Sequence, residues 1–238
     1  MRLPKTSALA FLVLSCAGCA TPDAGGLRID DLPMYGQPGI TRPPELQQAD
    51  ADFIKQAAAG FGGDRKRASL AWDAQAEEYM GEDNLDYAMR RYNQAWLLDP
   101  DSYLPYWGFG RVLLQQDKAD QAVGFFEKSL QLIHDDYQKP ALLSDTANAY
   151  SYAARSLPPG KADDRARLFK QADQYYAQSL ALDASYTNAL RRWAMSLYQE
   201  GDYAQAWRKV KQARAAGAKP LSDDFLKQLS AKMPEPPG

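Results

Sequence analysis

The sequence predicts an all-α solenoid: about four helical hairpins stacked side by side, with a further helix at each end. Three observations predict it. The chain repeats itself with a period of 34 residues. Within each repeat, small and bulky residues recur at spacings of four and three, which places them on one face of a helix. The composition is rich in Ala, Leu, Gln, Asp and Tyr and sparse in β-branched residues. That favours helix, because branched side chains lose rotamer freedom there and alanine does not.

The repeat is legible residue by residue. Ala88, Tyr92 and Ala95 are followed 34 residues later by Ala122, Phe126 and Ser129; Ala172, Tyr176 and Ser179 return as Ala206, Val210 and Ala213. Each set reads small, bulky, small. The helix before each set carries the complementary order: Trp72, Ala76, Tyr79; Tyr106, Gly110, Leu113; Leu143, Ala147, Tyr150; Leu190, Ala194, Leu197. Small residues let two antiparallel helices approach closely, and the bulky ones fill the space on either side.

These columns, with Pro100 at the end of the first unit, resemble the tetratricopeptide (TPR) repeat. The resemblance covers residues 69–220 as four units, 69–102, 103–136, 140–186 and 187–220. It implies a TPR helical-hairpin solenoid. The third unit departs from the pattern, with 13 additional residues between its helices, around Leu157-Pro158-Pro159-Gly160-Lys161. Proline and glycine break a helix there, so the insert is either a loop or a pair of longer helix ends. Three more residues precede it, around Tyr137 to Lys139.

Flanking helices complete the array. Leu46, Phe53, Ile54 and Ala57 form an apolar stripe within 45–68, ahead of the Gly60-Phe61-Gly62-Gly63 stop. At the other end Ser222 is an N-cap for a helix over 221–233 with Phe225, Leu226, Leu229 and Met233 on one face. Such caps are expected, since a stack of repeats leaves an apolar face open at each end. Residues 234–238 are too proline-rich to fold and are expected to form a disordered tail.

The first residues read as an address. Met1-Arg2-Leu3-Pro4-Lys5 and the apolar stretch Ala8–Leu14 form a secretory signal over 1–15, too short to span a bilayer. Val13-Leu14-Ser15-Cys16 resembles a bacterial lipobox, which implies cleavage before Cys16 and lipidation of its thiol; Cys19 is the alternative, and an ordinary secretory signal without lipid is a third possibility. Alanine follows either cysteine, which by the same resemblance implies an outer-membrane lipoprotein facing the periplasm. Residues 16–44, rich in Gly, Pro and Asp, read as a flexible tether holding the folded body ~30 Å from the membrane.

Other chemistry is poorly supplied. A net charge of -2 argues against nucleic acid as a partner. No apolar run reaches the ~18 residues a spanning helix needs. The one histidine, His134, lies with Asp135 and Asp136 at an inter-repeat turn, where solvation explains it better than a metal. The Gly60–Lys66 stretch lacks the spacing of a phosphate loop, and Glu77-Glu78 diverge by about 100° on a helix, which prevents them from flanking one glycosidic bond. No cofactor, catalytic residue or small-molecule substrate is expected. The alternative is a peptidoglycan-acting enzyme with its site in the groove or the third-repeat insert.

The TPR resemblance implies that the first helix of each unit lines a concave groove. The candidate partner-binding residues are Asp73, Glu77, Trp107, Arg111, Asn148, Tyr152, Arg191 and Met195. Trp107 is either a binding anchor or a residue packed against a neighbouring helix. Asp73 and Glu77 stand where carboxylate-clamping relatives carry Lys and Asn, so a clamp in that order is not supported. The charges instead suggest a groove acidic at its first unit and basic towards its last, fitted to a protein or extended peptide.

Overall fold

In the computed structural model, which describes residues 32–33 and 44–237, every regular element is a helix. The described residues form ten: α1 (Pro44–Ala59), α2 (Arg65–Gly81), α3 (Leu85–Leu98), α4 (Tyr103–Gln115), α5 (Ala119–Leu132), α6 (Lys139–Ser156), α7 (Ala162–Leu182), α8 (Thr187–Glu200), α9 (Tyr203–Ala215) and α10 (Asp223–Lys232). The pairs α2/α3, α4/α5, α6/α7 and α8/α9 form four hairpins, each packed on the next; α1 lies against the first and α10 against the last. The signal, Cys16, Cys19 and most of the tether lie outside the described residues. No described helix is long and apolar enough to cross a membrane.

The local signals explain the helix ends. Asp64 caps α2 by accepting from the Arg67 amide, so the first unit begins at Arg65 rather than at Ser69. α1 has already ended at Ala59, before the glycines. In three of the four hairpins one residue of the turn enters the left-handed region. Asp83 (φ 59°), Asp117 (φ 60°) and Gly201 (φ 90°) do so at the same place in units one, two and four. Aspartate tolerates that conformation better than most side chains, and glycine best of all. The third unit takes up its insert as longer helix ends. α6 has 18 residues and α7 has 21, joined across 157–161. The Arg165 guanidinium donates to the carbonyls of Ala154, Leu157 and Pro158, satisfying the end of α6.

The recurring columns form the core. Ala76, Ala88, Tyr92, Ala95, Ala122, Phe126, Ala147, Ala172, Tyr176, Ala194 and Ala206 are all fully buried. Two members of the small column are serines, and burying a hydroxyl requires a partner. Ser129 Oγ donates to the Tyr103 carbonyl at 2.8 Å, and Ser179 Oγ to the Pro140 carbonyl at 2.7 Å. Both acceptors begin the first helix of the same unit, so each bond ties the hairpin shut.

Both proline-containing flanks contact the array. Pro33 is buried, and the Leu32 carbonyl accepts from Asn93 Nδ2 at 2.9 Å, so residues 32–33 touch the folded body. The tail expected to be disordered is instead held against α9 over its described residues: 234–237 form no helix, but their carbonyls and Glu235 bind Lys211 and Arg214.

Candidate groove for a partner segment

The first helices of units two to four, with the end of α2, line an open cavity of about 540 Å³. Met80, Trp107, Leu114 and Tyr152 supply apolar surface; Arg111, Asp145, Asn148, Tyr186 and Arg192 supply polar groups. Of the eight residues expected in the groove, Trp107, Arg111, Asn148 and Tyr152 meet in this lining. Glu77 joins it through Arg111. Asp73, Arg191 and Met195 lie outside it: Asp73 is only 9% exposed, Arg191 is half-buried, and Met195 points to solvent at 47% exposure.

Trp107 packs against a neighbouring helix and also lines the cavity. Its Nε1 donates to Asp145 Oδ2 of the next unit at 2.7 Å, and its ring lies tilted against Tyr103. The indole is thus fixed by one edge while part of it still faces the cavity. A pre-positioned aromatic loses little entropy when an occupant arrives.

The expected acidic-to-basic gradient is not what the groove presents. Glu77 Oε1 accepts from Arg111 Nη1 at 2.5 Å and from the Tyr92 hydroxyl at 2.6 Å. Asp145 Oδ1 accepts from Arg192 Nη1, which also donates to Ser144 Oγ at 3.3 Å. Acids and bases therefore alternate along the groove and neutralise one another across units. Burial alone would weaken the protonated form of both arginines, yet hydrogen bonds and the attraction of Glu77 and Asp145 raise their pKa values.

Asp145 and Arg192 are not among the residues expected from the sequence. The repeat register points to Ser144 and Arg191 in the third and fourth units, but Ser144 is fully buried against α8, which leaves the next residue to face the groove. A signal for this exists. Ala74 and Gly108 hold the same place in units one and two, and the change from small residues to Asp145 and Arg192 marks where that column turns into a groove wall.

Beneath the first-unit end lies Asp73. Burial, and secondly the nearby negative charge of Glu77, push its carboxyl up to about 7, against the pull of Arg111. Among the described residues its Oδ1 has no hydrogen-bond partner. Among the same residues no group of three His, Cys, Asp or Glu is placed to hold a metal ion.

Neither a family model nor a curated protein matches the sequence. Solved structures match the fold. YrrB, described as a TPR protein with an unusual peptide-binding site, superposes with a TM-score of 0.50 at 16% identity over 76% of this chain and 93% of that one. The Cut9–Hcn1 hetero-tetramer of APC/C gives 0.54 at 14% identity over 80% of this chain; only 33% of the matched chain of that assembly is covered. MamA gives 0.49 at 14% identity over 75% of this chain and 96% of that one. The fold is a TPR solenoid. Its four TPR hairpins are those marked by the repeat columns, and the cavity lies among their first helices.

Proposed function

We propose that this chain is a membrane-anchored TPR scaffold of the bacterial envelope that holds an extended segment of a partner protein in the groove of units two to four. The observation that carries the reading is the cavity itself. Aromatic and aliphatic walls surround polar groups whose orientation is fixed by ion pairs between units. Because Arg111 and Arg192 are already neutralised, the groove favours an occupant bringing apolar side chains and backbone amides over one relying on charge. The peptide-binding description of YrrB and the assembly containing Cut9 and Hcn1 support a peptide or protein as the occupant.

Cross-linking in intact cells followed by mass spectrometry tests this. A Trp107→Ala, Tyr152→Ala variant that keeps its helical circular dichroism should capture at least about tenfold less partner, the expected effect of losing aromatic anchors. Arg191→Glu, outside the cavity lining, should leave capture unchanged. Equal recovery of one partner by wild type and the double variant would end the groove reading.

Anchoring at Cys16 in the outer membrane, facing the periplasm, rests on the lipobox resemblance of Val13-Leu14-Ser15-Cys16. Cys16→Ser should release the chain from the membrane fraction and abolish labelling by a fatty-acid analogue. Release by Cys19→Ser alone would move the anchor to Cys19, and retention of lipid in both variants would refute the assignment.

A further inference from the structure

The last described residues form a bound peptide. Along α9, Trp207, Lys211 and Arg214 are spaced four and three apart and so share one face. Trp207 Nε1 donates to the Met233 carbonyl at 2.8 Å. Lys211 Nζ donates to the carbonyls of Pro236 at 2.7 Å and Pro237 at 3.0 Å. Arg214 Nη1 pairs with Glu235 at 2.6 Å. An aromatic N–H, an ammonium and a guanidinium thus read an extended stretch of Met-Pro-Glu-Pro-Pro. Proline-rich chain suits such a row of donors. It is pre-extended, it makes no internal hydrogen bonds, and its carbonyls stay available.

The same arrangement recurs at the other end of the solenoid. Lys211 stands five residues after the small residue Ala206; Asn93 stands five residues after Ala88, the matching residue of unit one. Asn93 Nδ2 donates to the carbonyl of Leu32, which precedes Pro33, and Lys211 donates to the carbonyl of Pro236, which precedes Pro237. One repeat position, on the second helix of its unit, thus grips a carbonyl that precedes proline at both ends of the array. The groove uses first helices and takes no part in this.

We propose that Lys211 and Arg214 on α9, beside the buried Trp207–Met233 contact, form a second binding site, specific for extended proline-rich segments bearing an acid, and that residues 234–237 occupy it in cis as a displaceable ligand. Its hold on Glu235–Pro237 is weak by construction. The Arg214–Glu235 pair is 47% and 40% exposed on its two sides, and the remaining bonds go to carbonyls at the edge of the fold. What keeps the segment seated is its attachment to α10, which gives it a high effective concentration, on the order of millimolar. A partner segment of the same chemistry competes for the same donors. The site stands independently of the groove.

The test uses a synthetic peptide with the sequence of residues 234–238, acetylated and amidated, titrated into isotope-labelled protein and followed by amide chemical shifts. The hosts are the wild-type chain, a chain ending at Met233, which keeps its bond to Trp207, and a full-length Glu235→Lys, Pro236→Ala, Pro237→Ala variant whose tail has lost the ion pair to Arg214 and the prolines that pre-extend it. Both altered chains should show saturable shifts along α9, with at least roughly tenfold tighter binding than the wild type, whose site is filled. Adding Lys211→Glu and Arg214→Glu should abolish those shifts, and a peptide with alanine for each proline should bind several-fold more weakly. The proposal is overturned if the altered chains show no shifts on α9, if the wild type binds the peptide as well as they do, or if the alanine peptide is equally effective. Should the shortened chain fail to fold, the full-length variant alone decides between these outcomes.

Discussion

Gly108→Val should destabilise the fold by about 3 kcal/mol and lower Tm by roughly 10 °C. A Cβ built at Gly108 would stand 2.3 Å from Tyr92 Cε1, 2.4 Å from Cδ1 and 2.5 Å from Cζ. The tyrosine has nowhere to go. It is fully buried, its hydroxyl is bound to Glu77 at 2.6 Å, and its ring stands edge-on to Phe109. Relief therefore requires the α3/α4 contact to open, which separates unit one from unit two in an array whose stability is a sum over neighbouring contacts. The helix-propensity gain on losing glycine is a few tenths of a kcal/mol and does not offset this. Gly124→Ala is the matched control. It lies within α5 with nothing within 4 Å of a Cβ, and it should stabilise the protein by up to about 1 kcal/mol. Thermal and denaturant unfolding of the two variants decides the matter. A Gly108→Val protein as stable as the wild type would show that the close approach to Tyr92 is not what glycine serves there.

Gly108 also shows what the sequence reveals and what it hides. The hairpins are legible because each small residue answers a local steric demand repeated at fixed spacing. Gly110 admits the ring of Phe126, whose nearest atoms would lie 2.9 Å from an added Cβ, and Ala76, Ala147 and Ala194 hold the equivalent place. The demand depends on neighbours within one hairpin, so periodicity alone exposes it. The groove depends on relations between units. Glu77 meets Arg111 across 34 residues, and Asp145 meets Arg192 across 47, with the insert between them. Spacing can assign each to a helix face but not to a partner, so the sequence suggests a gradient where the structure holds a row of paired charges. The burial of Ser144 against α8 likewise depends on how the lengthened α6 sits against the fourth unit. At 234–237 the prolines exclude a helix and suggest a disordered tail. Excluding a helix says nothing about docking, which is set by Trp207, Lys211 and Arg214 on another element.

Asp73→Asn should stabilise the protein, and by an amount that grows with pH. The Asp73 carboxyl titrates near 7 in the folded chain against a reference of 3.8, because burial penalises its charge and Glu77 repels it. A raised folded pKa means that the folded state binds the proton more tightly than the unfolded state. Its contribution is fully present below about pH 3.8 and is lost as pH rises from there to about 7. The shift of 7 − 3.8 = 3.2 corresponds to about 4 kcal/mol. Asparagine resembles the protonated acid at every pH. The variant should therefore match the wild type near pH 4 and exceed it by up to about 4 kcal/mol at pH 8. Glu200, also raised to about 7 by burial and by Asp173, is present in both proteins and cancels from the difference. Denaturant unfolding at pH 4, 6 and 8 measures it, and a difference that does not change with pH would remove Asp73 as its source. The same variant probes why so unfavourable a group lies there. Arg111 is drawn to both Asp73 and Glu77, so an ionised Asp73 helps to fix the guanidinium that lines the cavity. If partner capture falls in Asp73→Asn while stability rises, the buried acid is a positioning residue for Arg111, and its instability is the cost of a rigid groove wall. If capture is unchanged, the Glu77–Arg111 pair holds that wall without it.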